Sequence, residues 1–189
     1  FMGGAQDRQQ KIVSIDLKEK SKNLKSMIED NVPGLYICGA YQFLGIYYKE
    51  ADGTIIRGLG IFDIYTENPG ENVKRLIGNI AIKSNFGNLI GFENHGGRTY
   101  LGENIKPLGK VLKGFGNDGE DKTEGAIYKN SFGSYLHGPI LPKNPKLADL
   151  LIKLSLEKKY GKKISLSPIN DSLEQRAREV IAKRMSVAI

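Results

Sequence analysis

Leu35-Tyr36-Ile37-Cys38 is a short apolar run that passes straight into Gly39-Ala40 and then into a stretch, Tyr41 to Glu50, carrying Phe43, Leu44, Ile46 and Tyr47 toward one side. A brief apolar run bounded by glycine is the pattern of a buried strand, and the stretch after it has the spacing of an amphipathic helix. A strand joined to a helix by two small residues constrains the fold more than any other feature here. It is a unit of α/β architecture, in which helices cover the faces of a sheet. It also leaves a cysteine at the carboxyl end of the strand.

The rest of the chain is consistent with that class. Phe1-Met2 reads as the end of a buried strand, with Gly3-Gly4 as a tight turn where glycine permits conformations other residues avoid. Ile15, Leu17, Leu24, Met27 and Ile28 lie among lysines and glutamates and predict a helix over 15–29, stopped by Asn31-Val32-Pro33-Gly34. Residues 54–66, 76–84, 88–93, 99–101 and 124–129 read as strands, and the Gly-, Lys- and Asp-rich span 102–123 as surface loop. Leu147, Leu150, Leu151 and Leu154 predict a helix over 145–160, and Asp171 or Ser172 opens a last helix to about Met185. With no internal repeat and no low-complexity linker, 1–189 is expected to be a single domain.

Composition narrows the function classes. At 189 residues, 40% hydrophobic and 26% charged, the chain can bury a full core and is unlike a disordered one. No apolar run approaches the roughly 20 residues of a membrane helix, so no membrane insertion is expected. The net charge of +7 raises nucleic-acid binding. The lysines are dispersed, however, and the densest group, Lys158-Lys159 with Lys162-Lys163, sits at a helix end where cations suit the helix dipole. No nucleic-acid partner is expected. One cysteine excludes an internal disulfide and fits a cytoplasmic setting, and one Cys with two His gives no metal-ligand pattern.

Cys38 sits where strand meets helix, the elbow that lifts a nucleophile out of a sheet and points backbone N–H groups at it. Both the helix dipole and those N–H groups favour the thiolate. Most free cysteines are instead small buried hydrophobes. A thiolate that attacks an amide needs a base, and the chain has two histidines: His137, after Tyr135-Leu136 and before Gly138-Pro139, and His95, in Gly91-Phe92-Glu93-Asn94-His95-Gly96-Gly97. Both fall at strand ends, and sequence geometry does not choose between them.

Together these segments resemble a known family. Tyr36-Ile37-Cys38-Gly39-Ala40-Tyr41-Gln42-Phe43-Leu44-Gly45 is similar to the nucleophile segment of class I glutamine amidotransferases, and Ser134-Tyr135-Leu136-His137-Gly138-Pro139 to the histidine segment of their CobB/CobQ-like branch. Within that branch, residues 1–10, Ile77-Gly78-Asn79 and Gly91 to Thr99 resemble the glutaminase subunits that work with a MurT-like ligase. The resemblance implies a flavodoxin-like fold, a mainly parallel sheet flanked by helices, with more sequence ahead of Phe1, so that N-terminal strands of that fold are expected to be missing.

The resemblance further implies hydrolysis of L-glutamine to glutamate and ammonia through a thioester on Cys38, with His137 as base. Backbone N–H groups of Gly39, Gly3 and Gly4 would hold the oxyanion. Gln42 would shape the glutamine pocket, and Arg75, with Arg98 as rival, would grip the substrate carboxylate. Ammonia would pass within a heterodimer to the MurT-like subunit, which amidates the D-glutamate of lipid II in peptidoglycan synthesis. No cofactor is implied in this subunit; ATP and Mg are expected on the ligase, and no phosphate-binding Gly-x-x-x-x-Gly-Lys loop occurs here.

The sequence departs from the wider class in two further ways. Tyr36 and Ala40 stand where many members have glycine. His137 is followed by Gly138-Pro139 rather than by a nearby Glu, so the acidic orienter is missing there, and Glu93 is the candidate to replace it. Competing readings are the glutaminase domain of a cobyric acid synthase-like cobalamin enzyme, a non-catalytic regulatory subunit on the same fold, and a cysteine hydrolase of another kind.

Overall fold

The computed structural model describes residues 1–3 and 7–188, with only the backbone given for 7–11, 13 and 14. Helix α1 spans Asp7–Glu29, longer than the apolar spacing alone indicates because no Gly or Pro interrupts the earlier turns. Strand β1 follows at Gly34–Ile37 and leads into the six-residue helix α2, Gly39–Leu44. The expected helix over 41–50 therefore ends early. At Gly45 the backbone turns extended, and a Cβ there would lie 2.7 Å from Ile64 Cγ1 and from the Ile64 carbonyl oxygen. The chain then becomes strand β2, Tyr47–Lys49, where the paired tyrosines suit a pleated surface better than a helix.

The span read as one strand over 54–66 is two, β3 (Ile55–Arg57) and β4 (Ile64–Glu67), separated around Gly58 and Gly60. β5 (Leu76–Ser84), β6 (Gly87–His95) and β7 (Arg98–Leu101) match expectation. The span 102–123 is not all loop: Gly109–Lys113 forms β8 against β5. Short strands β9 (Thr123–Glu124), β10 (Ala126–Tyr128) and β11 (Ser131–Ser134) follow. A helical turn α3, Ile140–Lys143, precedes α4, Pro145–Tyr160, and α5, Ser172–Met185. α4 opens on Pro145 and closes on Gly161 in the left-handed conformation, the punctuation its sequence displays.

The class is α/β, as expected, but strand pairing is mixed rather than mainly parallel. Among the described strands, β1 runs parallel to β11 and β2 to β4, whereas β5–β6, β5–β8, β8–β9, β10–β11, β2–β3 and β4–β7 are antiparallel. The reason is connection length: hairpins such as Ser84–Gly87 can only reverse direction, and parallel neighbours need a crossover. The β1–β11 pair is where the crossover matters, with register Gly34↔Ser131 through Ile37↔Ser134. Met2 bridges Tyr36 in parallel on the other side of β1, as the strand end read at Phe1-Met2 anticipates, although Phe1 itself is exposed.

Two cores flank this pair. Tyr36, Tyr41, Phe62, Ile64 and Tyr135 pack on one side. Leu35, Ile80, Ile82, Leu89, Phe132, Leu136, Leu147 and Leu151 pack on the other, under α4. Each fully buried Leu or Ile of this set contributes about 1.5–3 kcal/mol of transfer free energy. α5 closes the far end by laying Ala182 and Met185 on Ala81 and Ile90. Among the described residues, no helix is long and apolar enough to cross a membrane.

Candidate active site

The site begins with a backbone that a cysteine does not choose freely. Cys38 has φ 56° and ψ −114°, a region costing a non-glycine residue about 1–3 kcal/mol. Three bonds hold it: Cys38 N–H donates to Ser134 O at 2.9 Å, Gln42 N–H to Cys38 O at 3.0 Å, and Ile37 N–H to Met2 O at 2.9 Å. The elbow is thus clamped by β11 on one side and the N-terminal segment on the other. The thiol is partly exposed. Gly39, at the first position of α2, carries an N–H with no acceptor inside its helix. Gly3 directly follows Met2, which brings it alongside the end of β1. Gly4, the other expected oxyanion donor, lies outside the described residues.

His137 comes to the same end. It lies three residues beyond Ser134 on the strand parallel to β1, so both side chains leave the carboxyl ends of adjacent parallel strands, the edge where sites of α/β sheets assemble. His137 is half-buried; its amide N–H donates to Phe92 O at 2.8 Å, and its Nδ1 lies 3.0 Å from the same oxygen.

The structure separates the two histidines that sequence left tied. His95 is buried, stacked flat on Tyr135 with centroids 3.6 Å apart, and its Nδ1 donates to Gly97 O at 2.7 Å. Desolvation pushes its pKa down to about 3, helped by the nearby Arg98, His137 and Arg75 charges. His95 is therefore a neutral wall residue, while His137 has the exposure a base requires.

Behind Cys38 lies a network that motif reading did not resolve. Gln42 Nε2 donates to Tyr135 OH at 3.0 Å, and Tyr135 OH contacts Thr99 Oγ1 at 2.6 Å, which in turn contacts Thr66 Oγ1 at 2.7 Å. Burial pushes the Tyr135 phenol well above its ordinary value, so it stays neutral. Gln42 is itself buried, and its Oε1, like His95 Nε2, has no hydrogen-bond partner among the described residues. Glu124, fully buried, accepts from Ser134 Oγ and Tyr135 N–H at 2.7 Å each, bracing the strand end that clamps Cys38. Tyr135 had a sequence signal, its place in the histidine segment; Glu124, at the start of the strand read over 124–129, had none.

Of the remaining candidates, Glu93 does not orient His137. Its two oxygens accept from Phe115 N–H at 2.8 Å and Gly116 N–H at 2.9 Å. The alternation of β6 explains this: Phe92 faces out and Glu93 faces in. Arg98 is committed to two carbonyls, Gly96 O at 2.7 Å and Lys74 O at 2.8 Å. Arg75 is exposed and rests on Asn94 through its Oδ1 and carbonyl oxygen at 3.1 and 3.3 Å.

Known proteins share this arrangement of segments. The chain is 48% identical over 185 residues to the lipid II isoglutaminyl synthase (glutamine-hydrolyzing) subunit GatD of Staphylococcus aureus, covering 97% of this chain and 74% of that one. A probable cobyric acid synthase of Methanococcus maripaludis is 34% identical over 166 residues, 80% of this chain but 32% of its own length. In fold, a crystal structure of a glutamine amidotransferase superposes with a TM-score of 0.60 at 14% identity, over 82% of this chain and 77% of that one. Residues 1–145 match the CobB/CobQ-like glutamine amidotransferase domain, and the chain belongs to that family.

Proposed function

We propose that this chain is the glutamine-hydrolysing subunit of a lipid II isoglutaminyl synthase, working as a heterodimer with a MurT-like ligase in the cytoplasm. The observation that carries the reading is the likeness to a GatD subunit over 97% of this chain, joined to a cysteine held in an elbow at the end of β1, the strand parallel to the one that leads to a half-buried histidine. The cobyric acid synthase likeness is weaker and covers a third of that protein, which favours the cell-wall reading.

In this mechanism the Cys38 thiolate adds to the side-chain carboxamide carbon of glutamine. The oxyanion takes hydrogen bonds from Gly39 N–H and the N-terminal glycine segment, a type of contact worth about 3–4 kcal/mol per donor. His137, protonated from the thiol, gives its proton to the departing nitrogen, and ammonia leaves as the thioester forms. His137 then takes a proton from water, the resulting nucleophile opens the thioester, and glutamate and the thiol are regenerated. Arg75, exposed on the surface, is assigned to pair the substrate α-carboxylate, while Arg98 already donates to two carbonyls. Gln42 shapes the pocket from behind through Tyr135. Nothing in these steps calls on a cofactor; ATP and Mg belong to the ligase.

The test is ammonia release from glutamine, measured with and without a co-purified MurT-like ligase. Cys38→Ala is expected to lower it at least about a thousandfold while the variant stays folded. Ammonia release at the wild-type rate from that variant would end the proposal.

A further inference from the structure

The candidate base needs an orienter, and the side chain expected to serve is committed elsewhere: both Glu93 oxygens accept from the Phe115 and Gly116 amides. What faces His137 Nδ1 is the carbonyl oxygen of Phe92, at 3.0 Å. A carbonyl can only accept. Nδ1 must therefore carry the ring proton, and in the neutral imidazole the lone pair is then on Nε2.

We propose that the Phe92 backbone carbonyl is the positioning group of this site, fixing His137 as the Nδ1–H tautomer and leaving Nε2 to take the Cys38 proton. The assignment rests on the reading of Cys38 and His137 as nucleophile and base. Three features make this carbonyl a suitable anchor. It lies within the longest ladder among the described strands, where β5 and β6 pair from Leu76↔His95 to Ser84↔Gly87, with Asn79 opposite Phe92. It accepts twice from one residue, from the His137 amide at 2.8 Å as well as from the ring, so backbone and imidazole are held as a unit. And the approach of the His137 segment to β6 depends on Gly91, where a Cβ would stand 2.7 Å from Leu136 Cβ and 3.1 Å from Leu136 Cα.

A carbonyl supplies a dipole in place of a carboxylate's full charge. It sets the tautomer and the ring plane as an acid would, but it stabilises the imidazolium less. The imidazolium is then balanced chiefly by the thiolate it creates.

The experiment is nitrogen NMR of this chain with 15N-labelled histidine rings, recorded where the imidazoles are neutral. The two sets of signals are assigned by their loss in His95→Gln. His137 protonated on Nδ1 is the expected result; protonation on Nε2 overturns the proposal. Gly91→Ala, which forces Leu136 away from β6, is expected to mix the His137 tautomers. It should lower kcat for ammonia release about tenfold or more with KM within about threefold. An unchanged tautomer with unchanged kcat would also overturn it, and should this variant not fold, the wild-type spectrum decides. An active Cys38→Ala defeats the underlying reading whatever the tautomer; an inactive Cys38→Ala with an Nε2–H His137 defeats the carbonyl assignment alone.

Discussion

Two buried polar clusters sit at opposite ends of the β5–β6 hairpin, and they are built differently. At the α5 end, Asn144 uses its whole amide: Oδ1 accepts from Ile90 N–H and Arg178, and Nδ2 donates to Ile90 O and Ile140 O. Arg178 adds bonds to Lys143 O and Asn88 O. At the Cys38 end, Gln42 Oε1 and His95 Nε2 are buried without such partners, and Cys38 is held at positive φ. The first cluster is a saturated joint whose work is to hold helix to hairpin. The second keeps acceptors and strain in reserve around the candidate nucleophile, as sites that bind or react do and pure scaffolding does not.

The contrast can be broken in four places. Asn144→Ala strips four bonds from buried groups and is expected to lower unfolding stability by about 3–5 kcal/mol in denaturant titration, the largest effect here. A loss below about 1 kcal/mol would mean the joint is not one.

Glu124→Gln tests the other end by pH. Burial holds the Glu124 carboxyl up at about 7 against its usual 4.5. The folded chain thus binds this proton more tightly than the unfolded chain. The group's contribution is whole below the unfolded value and falls away as pH climbs to about 7, by up to about 3 kcal/mol. The Gln variant should lack that decline, so stability curves that run parallel from acid to neutral pH would refute the assignment. Arg75→Ala is expected to raise KM for glutamine about tenfold or more with a smaller change in kcat. Arg98→Ala should chiefly cost stability, and equal effects on KM from both variants would contradict the division of roles. Cys38→Gly, finally, should abolish ammonia release yet stabilise the fold by about 1 kcal/mol, because glycine adopts the elbow conformation at no steric cost. A thermal midpoint that falls would show that the elbow is not strained.

How much of this was written in the sequence varies by element. α4 and α5 were legible almost to the residue because Pro145, Gly161 and the leucine spacing mark the first and Asp171-Ser172 the start of the second. The strand-to-helix join at Cys38 was legible for the same reason. β8 was not: Lys110-Val111-Leu112-Lys113 is too short to declare itself among glycines and aspartates, and only pairing with β5 makes it a strand. α2 ended early because Gly45 packs against Ile64, a contact made across the fold. The choice between His95 and His137 needed burial, and the group that faces His137 Nδ1 had no letter to read, being main chain.

The parallel register of β1 and β11 has a kinetic consequence. Ile37 and Ser134 lie far apart along the chain, and contacts of such long sequence separation are slow to close. The pairing that brings the Cys38 and His137 segments to one sheet edge is therefore among the slow contacts to form. A chain in which β1 and β11 had not paired would carry both groups yet hold them apart, and is expected not to hydrolyse glutamine.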